Sequence, residues 1–281
     1  MAEITAGAVA KLREMTNAGL MDCKKALIEA NGELEAAVDI LRKKGQASAA
    51  KKAGRDAKEG VIASYIAPGA RLGVIIEINC ETDFVARNES FRAFCDDMAR
   101  KVATNPSADL EADRVAAVSK IGENVLINRH QRIEIAGNGL VSAYIHTGAK
   151  VGVLVEVGAN NEATTQKEEF KQLVRDITLQ IAAAFPTAVT REEIPADLLA
   201  KEDEINKQSD RLKGKPAAAL DKILQGMREK YFQTACLVDQ GFVKNPDMTV
   251  GQHIGSVSKT LGDEIKVRRF VRFQVGESAA A

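Results

Sequence analysis

The chain has 281 residues, of which 45% are apolar and 28% are charged. This composition is typical of a folded protein and argues against global disorder, and the length predicts about two domains. The 39 basic and 39 acidic side chains cancel, so the chain lacks the net positive charge that draws proteins to nucleic acid or anionic membranes.

Neither export nor metal binding is indicated. The apolar runs are far shorter than the roughly twenty residues that cross a bilayer, and the first residues lack a basic start followed by an apolar stretch. We therefore expect a cytoplasmic protein. The four cysteines and three histidines form no CxxC or HxxxH pattern, so we expect no metal site, with Cys23 and Cys95 as reduced residues on buried helix faces.

Residues 1–45 have the apolar spacing of three short helices. Positions i, i+3, i+4 and i+7 are apolar in two sets, which are Cys23, Ala26, Leu27, Ala30 and Leu34, Ala37, Val38, Leu41. We predict a three-helix module, with Asp22 capping its second helix and Gly45 ending its third. Residues 46–59 are predicted to be a basic linker, because seven basic residues and one acid lie between Arg42 and Lys58 and no apolar side chain there is larger than Ala.

The middle of the chain contains an internal repeat at an offset of 79 residues. Residues 60–77 align without gaps on residues 139–156, and the apolar face of the helix that follows each segment repeats as well. Each copy is predicted to be a strand, a Gly-containing turn, a second strand and a helix. The result is an α+β fold, a duplicated core of antiparallel strands with helices on one face. We assign residues 60–138 to core subdomain 1, and residues 139–194 and 233–276 to core subdomain 2.

Residues 195–232 interrupt the second copy and are predicted to form an antiparallel helical hairpin that turns at Gly214-Lys215-Pro216. Leu198, Ile205 and Leu212 recur every seven residues on its first arm. Two helices cannot bury all of their apolar surface, so we expect the hairpin to offer that surface to a partner or to a second copy. A helix over residues 250–261, a strand over residues 265–273 and a frayed tail at residues 277–281 are predicted to follow.

The sequence lacks the common motifs of nucleotide binding and covalent catalysis. It has no GxxxxGK[ST] phosphate loop, no GxGxxG turn between a strand and a helix, and no GxSxG nucleophile turn. We therefore expect no cofactor, no direct nucleotide binding and no enzyme activity.

The segment Thr82-Asp83-Phe84-Val85 lies between a buried strand and a helix, and two interpretations are open. In the first, Thr82 or Asp83 caps the helix while Phe84 packs on the core. In the second, Phe84 is a wedge for another protein. The repeat favours the second, because that copy has Glu162 and Ala163 at the corresponding positions and makes the same connection without an aromatic ring.

Leu20 and Met21 pose the same question in a predicted loop ahead of Asp22. They either pack between the first two helices or face a partner, and the sequence does not decide between these interpretations.

Two segments resemble the signature stretches of bacterial translation elongation factor Ts. They are residues 12–27, LREMTNAGLMDCKKAL, and residues 77–87, EINCETDFVAR. The resemblance covers nearly the whole chain, since that family also has an N-terminal three-helix module similar to ubiquitin-associated (UBA) domains, a duplicated core and an inserted helical hairpin. The family's C-terminal module is often longer than the residues 276–281 that follow the last predicted strand here.

The resemblance implies a guanine-nucleotide exchange factor for elongation factor Tu, a GTPase that holds GDP tightly. It implies that Asp83 and Phe84, flanked by Thr82 and Val85, enter the nucleotide domain of that GTPase and disturb its magnesium and phosphate site. It further implies contacts of Leu20 and Met21 with a helix of the same domain. The His146-Thr147-Gly148 turn and the hairpin would reach the other domains or a second factor molecule.

Two other functions remain as alternatives. The first is a non-catalytic scaffold or adaptor that binds a partner without altering nucleotide release. The second is an enzyme that uses Asp83 as a general base, for which no second catalytic group lies nearby in the sequence. The sequence leaves open whether the chain forms a homodimer, and we expect no contact with membrane or nucleic acid.

Overall fold

The computed structural model of the protein describes residues 4–16, 18–209, 212 and 216–277. Its N-terminal part consists of three helices, α1 (Ala6–Thr16), α2 (Leu20–Glu29) and α3 (Leu34–Lys52). The predicted apolar faces of α2 and α3 meet α1 in one buried cluster, which includes Leu12, Cys23, Ala26, Leu27 and Ala37.

The first core unit is a three-stranded antiparallel sheet in the order β1-β2-β3. Its elements are β1 (Glu59–Ile66), β2 (Leu72–Cys80), α4 (Asp83–Arg87), α5 (Glu89–Thr104), α6 (Glu111–Ile121) and β3 (Leu126–Glu134). One face of the sheet packs on α5 through the predicted residues Phe91, Cys95, Met98 and Val102. The sequence predicted only two strands and one helix for this unit, so the short helix α4, the helix α6 and the strand β3 are additions.

The predicted boundary between the N-terminal module and a linker is wrong. The helix α3 does not end at Gly45 but continues to Lys52 and packs on α6, burying Gly45 and Ala49. A Cβ atom on Gly45 would lie 3.1 Å from Val115 Cγ1 and 3.2 Å from Ser119 Oγ. Because Gly and Ala are small, they let the two helices approach closely, so the residues that could not anchor a core form a helix contact instead.

The second core unit repeats the first and contains a long insertion. Its sheet has the order β4-β5-β8. The elements are β4 (Gly139–Ile145), β5 (Val151–Ala159), α7 (Glu162–Thr165), α8 (Glu168–Ala184), α9 (Ala196–Lys207), α10 (Ala217–Ala235), β6 (Gly241–Phe242), β7 (Asn245–Thr249), α11 (Val250–Leu261) and β8 (Ile265–Gln274). The predicted helix at residues 250–261 and the strand from residue 265 are confirmed, and so is the α+β class.

The two sheets pack against each other through the faces that the helices leave free, around Ile62, Ile75 and Leu154. A Cβ atom on Gly152 would lie 2.5 Å from Ile62 Cγ2, so a residue without a side chain is needed at this contact. The backbone also joins the copies, because the Ile62 N–H donates to the Ala149 carbonyl at 2.7 Å. The duplicated units therefore form one interlocked core.

The helices α9 and α10 occupy the segment predicted to form a hairpin. Asp203 of α9 pairs with Arg228 of α10. One turn before Asp203, Leu199 packs on a buried cluster that contains Phe232, which lies one turn after Arg228. Ile205 is 64% exposed. Residues 214 and 215 of the predicted turn and residues 278–281 of the predicted tail lie outside the described residues. Within the described part of the chain, no helix has the length and apolar character needed to cross a membrane.

Candidate functional site

The Thr82-Asp83-Phe84-Val85 segment forms the start of α4, a helix of five residues at the end of β2. Thr82 is its N-cap, and the Thr82 hydroxyl accepts a hydrogen bond from the Val85 N–H at 3.4 Å. Val85 packs on the core of the first unit and Ala86 is buried. The inner side of this short helix is therefore anchored, as the capping interpretation of Thr82 predicted.

Phe84 lies on the outer side of α4 and is 81% exposed. The interpretation that Phe84 packs on the core of its own chain is therefore wrong. Asp83 is beside it and forms an ion pair with Arg87, with 2.9 Å between Oδ2 and Nη2. An aromatic ring and a carboxylate thus project together from an anchored helix.

The second core unit provides an internal comparison. At the offset of 79, α7 occupies the position of α4, and Asn161, Glu162 and Ala163 replace Thr82, Asp83 and Phe84. Ala163 is exposed. The same connection between strand and helix therefore forms without an aromatic ring, and the fold does not account for Phe84.

Two carboxylates that the sequence analysis missed hold the backbone that leads into α4. Glu123 accepts hydrogen bonds from the N–H groups of Glu81 and Thr82, both at 3.0 Å, and from the Thr82 hydroxyl at 2.6 Å. Glu81 in turn accepts the Asn124 N–H at 2.6 Å. Glu123 lies in the turn between α6 and β3, an element pair that the sequence did not predict, so no local pattern pointed to it.

The same environment affects Cys80, the last residue of β2. Burial, together with the nearby Glu123 carboxylate, raises the pKa of the Cys80 thiol to about 12. Its Sγ donates to the Thr82 carbonyl at 3.2 Å. A thiol with this pKa is not a nucleophile at neutral pH, so Cys80 contributes a buried contact to the site.

The turn of the second unit that contains His146 and Gly148 lies beside α4. Gly148 and Asp83 line one surface cavity of about 530 Å³. Lys150, after the turn, pairs with Glu59 of β1 and also donates to the Gly60 carbonyl at 3.0 Å. The His146 side chain is exposed next to the Tyr144 hydroxyl, which is 2.9 Å from His146 Nδ1. Asp83 of the first unit and Gly148 of the second therefore face one region of the surface.

Leu20 and Met21 are 55% and 59% exposed. They begin α2 and do not lie in a loop, and the N-cap of α2 is Gly19 instead of the predicted Asp22. The interpretation that they pack between α1 and α2 is wrong, because Cys23, Ala26 and Leu27 already fill that contact. Both side chains remain available on the surface of the N-terminal helices.

Among residues 4–16, 18–209, 212 and 216–277, no group of three His, Cys, Asp or Glu side chains is arranged to hold a metal ion. The site therefore consists of an exposed ring, carboxylates, and a neighbouring turn.

Several known proteins that are similar to this chain have the same name. A family model described as "Elongation factor TS" matches residues 81–277. A protein of Symbiobacterium thermophilum named Elongation factor Ts is 45% identical over 284 residues, covering 99% of this chain and 93% of that protein. Proteins of the same name from Nitratidesulfovibrio vulgaris and Clostridium botulinum are 40% and 43% identical, covering 99% and 98% of this chain and 98% and 93% of their own lengths. The chain belongs to the elongation factor Ts family.

Proposed function

We propose that this chain promotes the release of GDP from elongation factor Tu during translation elongation, and that the outer side of α4 is the part that acts. Membership of the elongation factor Ts family supports the exchange role. The observation that carries the choice of residues is the 81% exposure of Phe84 on an anchored helix, at a position where the duplicate unit has Ala163.

Phe84 acts as a wedge between helices of the nucleotide domain of the GTPase. Single aromatic anchors at protein interfaces contribute about 2–4 kcal/mol. At about 1.4 kcal/mol per tenfold change in a constant, this is enough to weaken nucleotide binding by about 30-fold to 1000-fold, if the ring packs only in the distorted partner.

Asp83 acts electrostatically near the magnesium site of the partner. A carboxylate brought close to a bound cation competes for its ligands and its water network. In the free chain Asp83 pairs with Arg87 across one helical turn, and an exposed pair of this kind is worth only about 0.3–0.5 kcal/mol. Asp83 can therefore leave Arg87 at little cost when the partner binds.

Exchange by this route is a coupling between two ligands of one GTPase. If the wedged conformation binds GDP more weakly by some factor, GDP must weaken the binding of the exchange factor by the same factor. A ternary complex then forms and releases either ligand, and the chain performs no covalent step.

Additional contacts come from Leu20 and Met21 on the same nucleotide domain, and from His146 and Gly148 on the other domains. The projecting helices α9 and α10 contact the partner or a second copy of this chain. The exposed apolar side chains of Leu20, Met21 and Ile205 support the first and the last of these assignments, and the exposure of His146 and Gly148 supports the second.

The test adds substoichiometric amounts of the chain to elongation factor Tu loaded with labelled GDP, in the presence of excess unlabelled nucleotide. We expect many labelled molecules to be released per molecule of chain. Asp83→Asn should slow release, while Glu162→Gln, the corresponding change in the duplicate unit, should not. A stable complex without faster release would instead identify an adaptor and refute the proposed function.

A further inference from the structure

The backbone ahead of α4 is held by a carboxylate from a distant part of the chain. Glu123 bonds to both N–H groups and to the one hydroxyl of the Glu81-Thr82 pair, at distances of 2.6 to 3.0 Å. The Glu81 carboxylate accepts a hydrogen bond from the Asn124 N–H and pairs with Arg55, with 3.4 Å between Oε1 and Nη1. Hydrogen bonds to ionised acceptors are stronger than neutral ones, so this clamp fixes the last two residues before α4.

The clamp also determines how Thr82 caps α4. Because the Thr82 hydroxyl donates a hydrogen bond to Glu123, the lone pairs of its oxygen are free to accept a hydrogen bond from the Val85 N–H. With only five residues, α4 is too short to be stable or oriented by its own hydrogen bonds. Its direction, and with it the direction of Phe84, depends on the packing of Val85 and Ala86 and on the groups that hold its N-cap Thr82.

We propose that Glu123 is a positioning residue for nucleotide exchange, holding the backbone of residues 81 and 82 so that Phe84 points outward before the partner arrives. This inference rests on the proposed function. Glu123 does not touch the partner. It acts by removing the need to order the α4 segment during binding, and such preorganisation leaves more of the interface energy for distorting the partner.

The duplicate unit contains the same device without a wedge. There Asp263 accepts the N–H groups of Asn160 and Asn161 at 3.3 and 3.0 Å, directly ahead of α7. Hydrogen bonds from Thr164 and from these backbone groups lower the pKa of the Asp263 carboxyl. Asp263 thus accepts the same two backbone N–H groups as Glu123 but lies ahead of Ala163, so Asp263→Asn tests the structural effect of losing such bonds where there is no wedge.

The experiment compares Glu123→Gln with Asp263→Asn, each in the full chain and each combined with Phe84→Ala. Oε2 of Glu123 accepts both backbone N–H groups, and Oε1 accepts the Thr82 hydroxyl. Because Gln has one acceptor oxygen and no charge, it cannot keep all three hydrogen bonds as they are, and we expect Glu123→Gln to slow GDP release by about tenfold. Asp263→Asn should leave the release rate within about twofold of the original chain. In the Phe84→Ala background, Glu123→Gln should slow release little further, because the ring that it positions is gone.

The positioning role would be overturned if Glu123→Gln slowed release equally with and without Phe84. It would also be overturned if Glu123→Gln left release unchanged, or if Asp263→Asn slowed release as much as Glu123→Gln. Full release by Phe84→Ala alone would show that the ring is not the wedge and would overturn the positioning role with it, whereas a failure of the original chain to speed release would refute the exchange function itself. If Glu123→Gln does not fold, Thr82→Val removes the hydroxyl bond to Glu123 together with the cap of α4, and it keeps the two backbone bonds to Glu123. We then expect slower release that again depends on Phe84, and a Thr82→Val chain equal to the original would overturn the inference.

Discussion

Phe84→Ala should separate exchange activity from stability. A fully buried Phe covers about 150–250 Å², and Phe84 is 81% exposed, so truncation loses about 40 Å² of buried area, worth about 1 kcal/mol at 25 cal/mol per Å². The exposed remainder, about 160 Å², is worth up to about 4 kcal/mol when a partner covers it. The variant should therefore keep its free energy of unfolding within about 1 kcal/mol and release GDP about 30-fold to 1000-fold more slowly.

Urea denaturation gives the free energy of unfolding, and release of labelled GDP from elongation factor Tu gives the exchange rate. Phe91→Ala is the matched control, because Phe91 lies in the first turn of the neighbouring helix α5 and is fully buried. That variant should lose about 3–5 kcal/mol of stability. A loss of similar size in Phe84→Ala would mean that the ring stabilises its own chain, and undiminished exchange by a folded Phe84→Ala would show that the ring is not the wedge.

Three further predictions concern the framework that carries the site. Gly152→Ala should destabilise the chain by about 1–3 kcal/mol, because the new methyl group collides with the facing sheet. Gly226→Ala should stabilise the chain by up to about 1 kcal/mol, because this position on α10 has open space around it. A melting temperature that shifts in the same direction in both variants would contradict this reasoning. Arg129→Ala should cost about 3–5 kcal/mol in urea denaturation, since it leaves the Glu77 carboxylate, 0% exposed and 2.7 Å from Arg129 Nε, without its charge partner. All four cysteines are free and buried and burial raises the pKa of Cys80 to about 12, so a thiol reagent at pH 8 should modify none before unfolding and four after it; one fast-reacting thiol in the native chain would disprove this.

The duplicated core could be predicted from the sequence because both copies keep the same local spacing. Residues 60–77 and 139–156 repeat without a gap, and the apolar positions of α5 and α8 follow the helical period. The strands β3 and β8 occupy equivalent places in the two sheets. They are not separated by the offset of 79 residues, because α9 and α10 are inserted in the second copy. Of these two strands, the sequence predicted only β8.

The end of α3 was mispredicted for a different reason. Its last turns contain Gly45, Ala49 and several lysines, which lack an apolar stripe that periodicity could detect. They are helical because α6 packs against them, a tertiary contact that overrides weak local preference. Apolar periodicity in a sequence reveals only helix faces that carry large apolar side chains. The face of α3 that meets α6 carries Gly45 and Ala49 instead, and it is buried because the two helices lie close together.

The candidate site was predictable in its exposed residues but not in its supports. Phe84 was identified by comparing the two copies, a signal that needs no structure. Glu123 lies 41 residues beyond Thr82, and two of its three bonds come from backbone N–H groups, which any residue except proline provides. A carboxylate whose partners are backbone groups has no sequence signature, so only the fold could bring it to the site.

The rigidity of these supports bears on how the proposed exchange would work. The N-terminal helices are joined to the core through α3 and α6, and Arg55 connects the end of that segment to the clamp, since its carbonyl accepts the Asn124 side chain at 2.9 Å. If the three helices were tethered by a flexible linker, Leu20 and Met21 could bind the partner while Phe84 stayed outside it. On one rigid framework all contacts must be satisfied together, and a partner that fits them only when distorted has to distort. The interface energy then appears as weakened GDP binding instead of tighter binding of the factor.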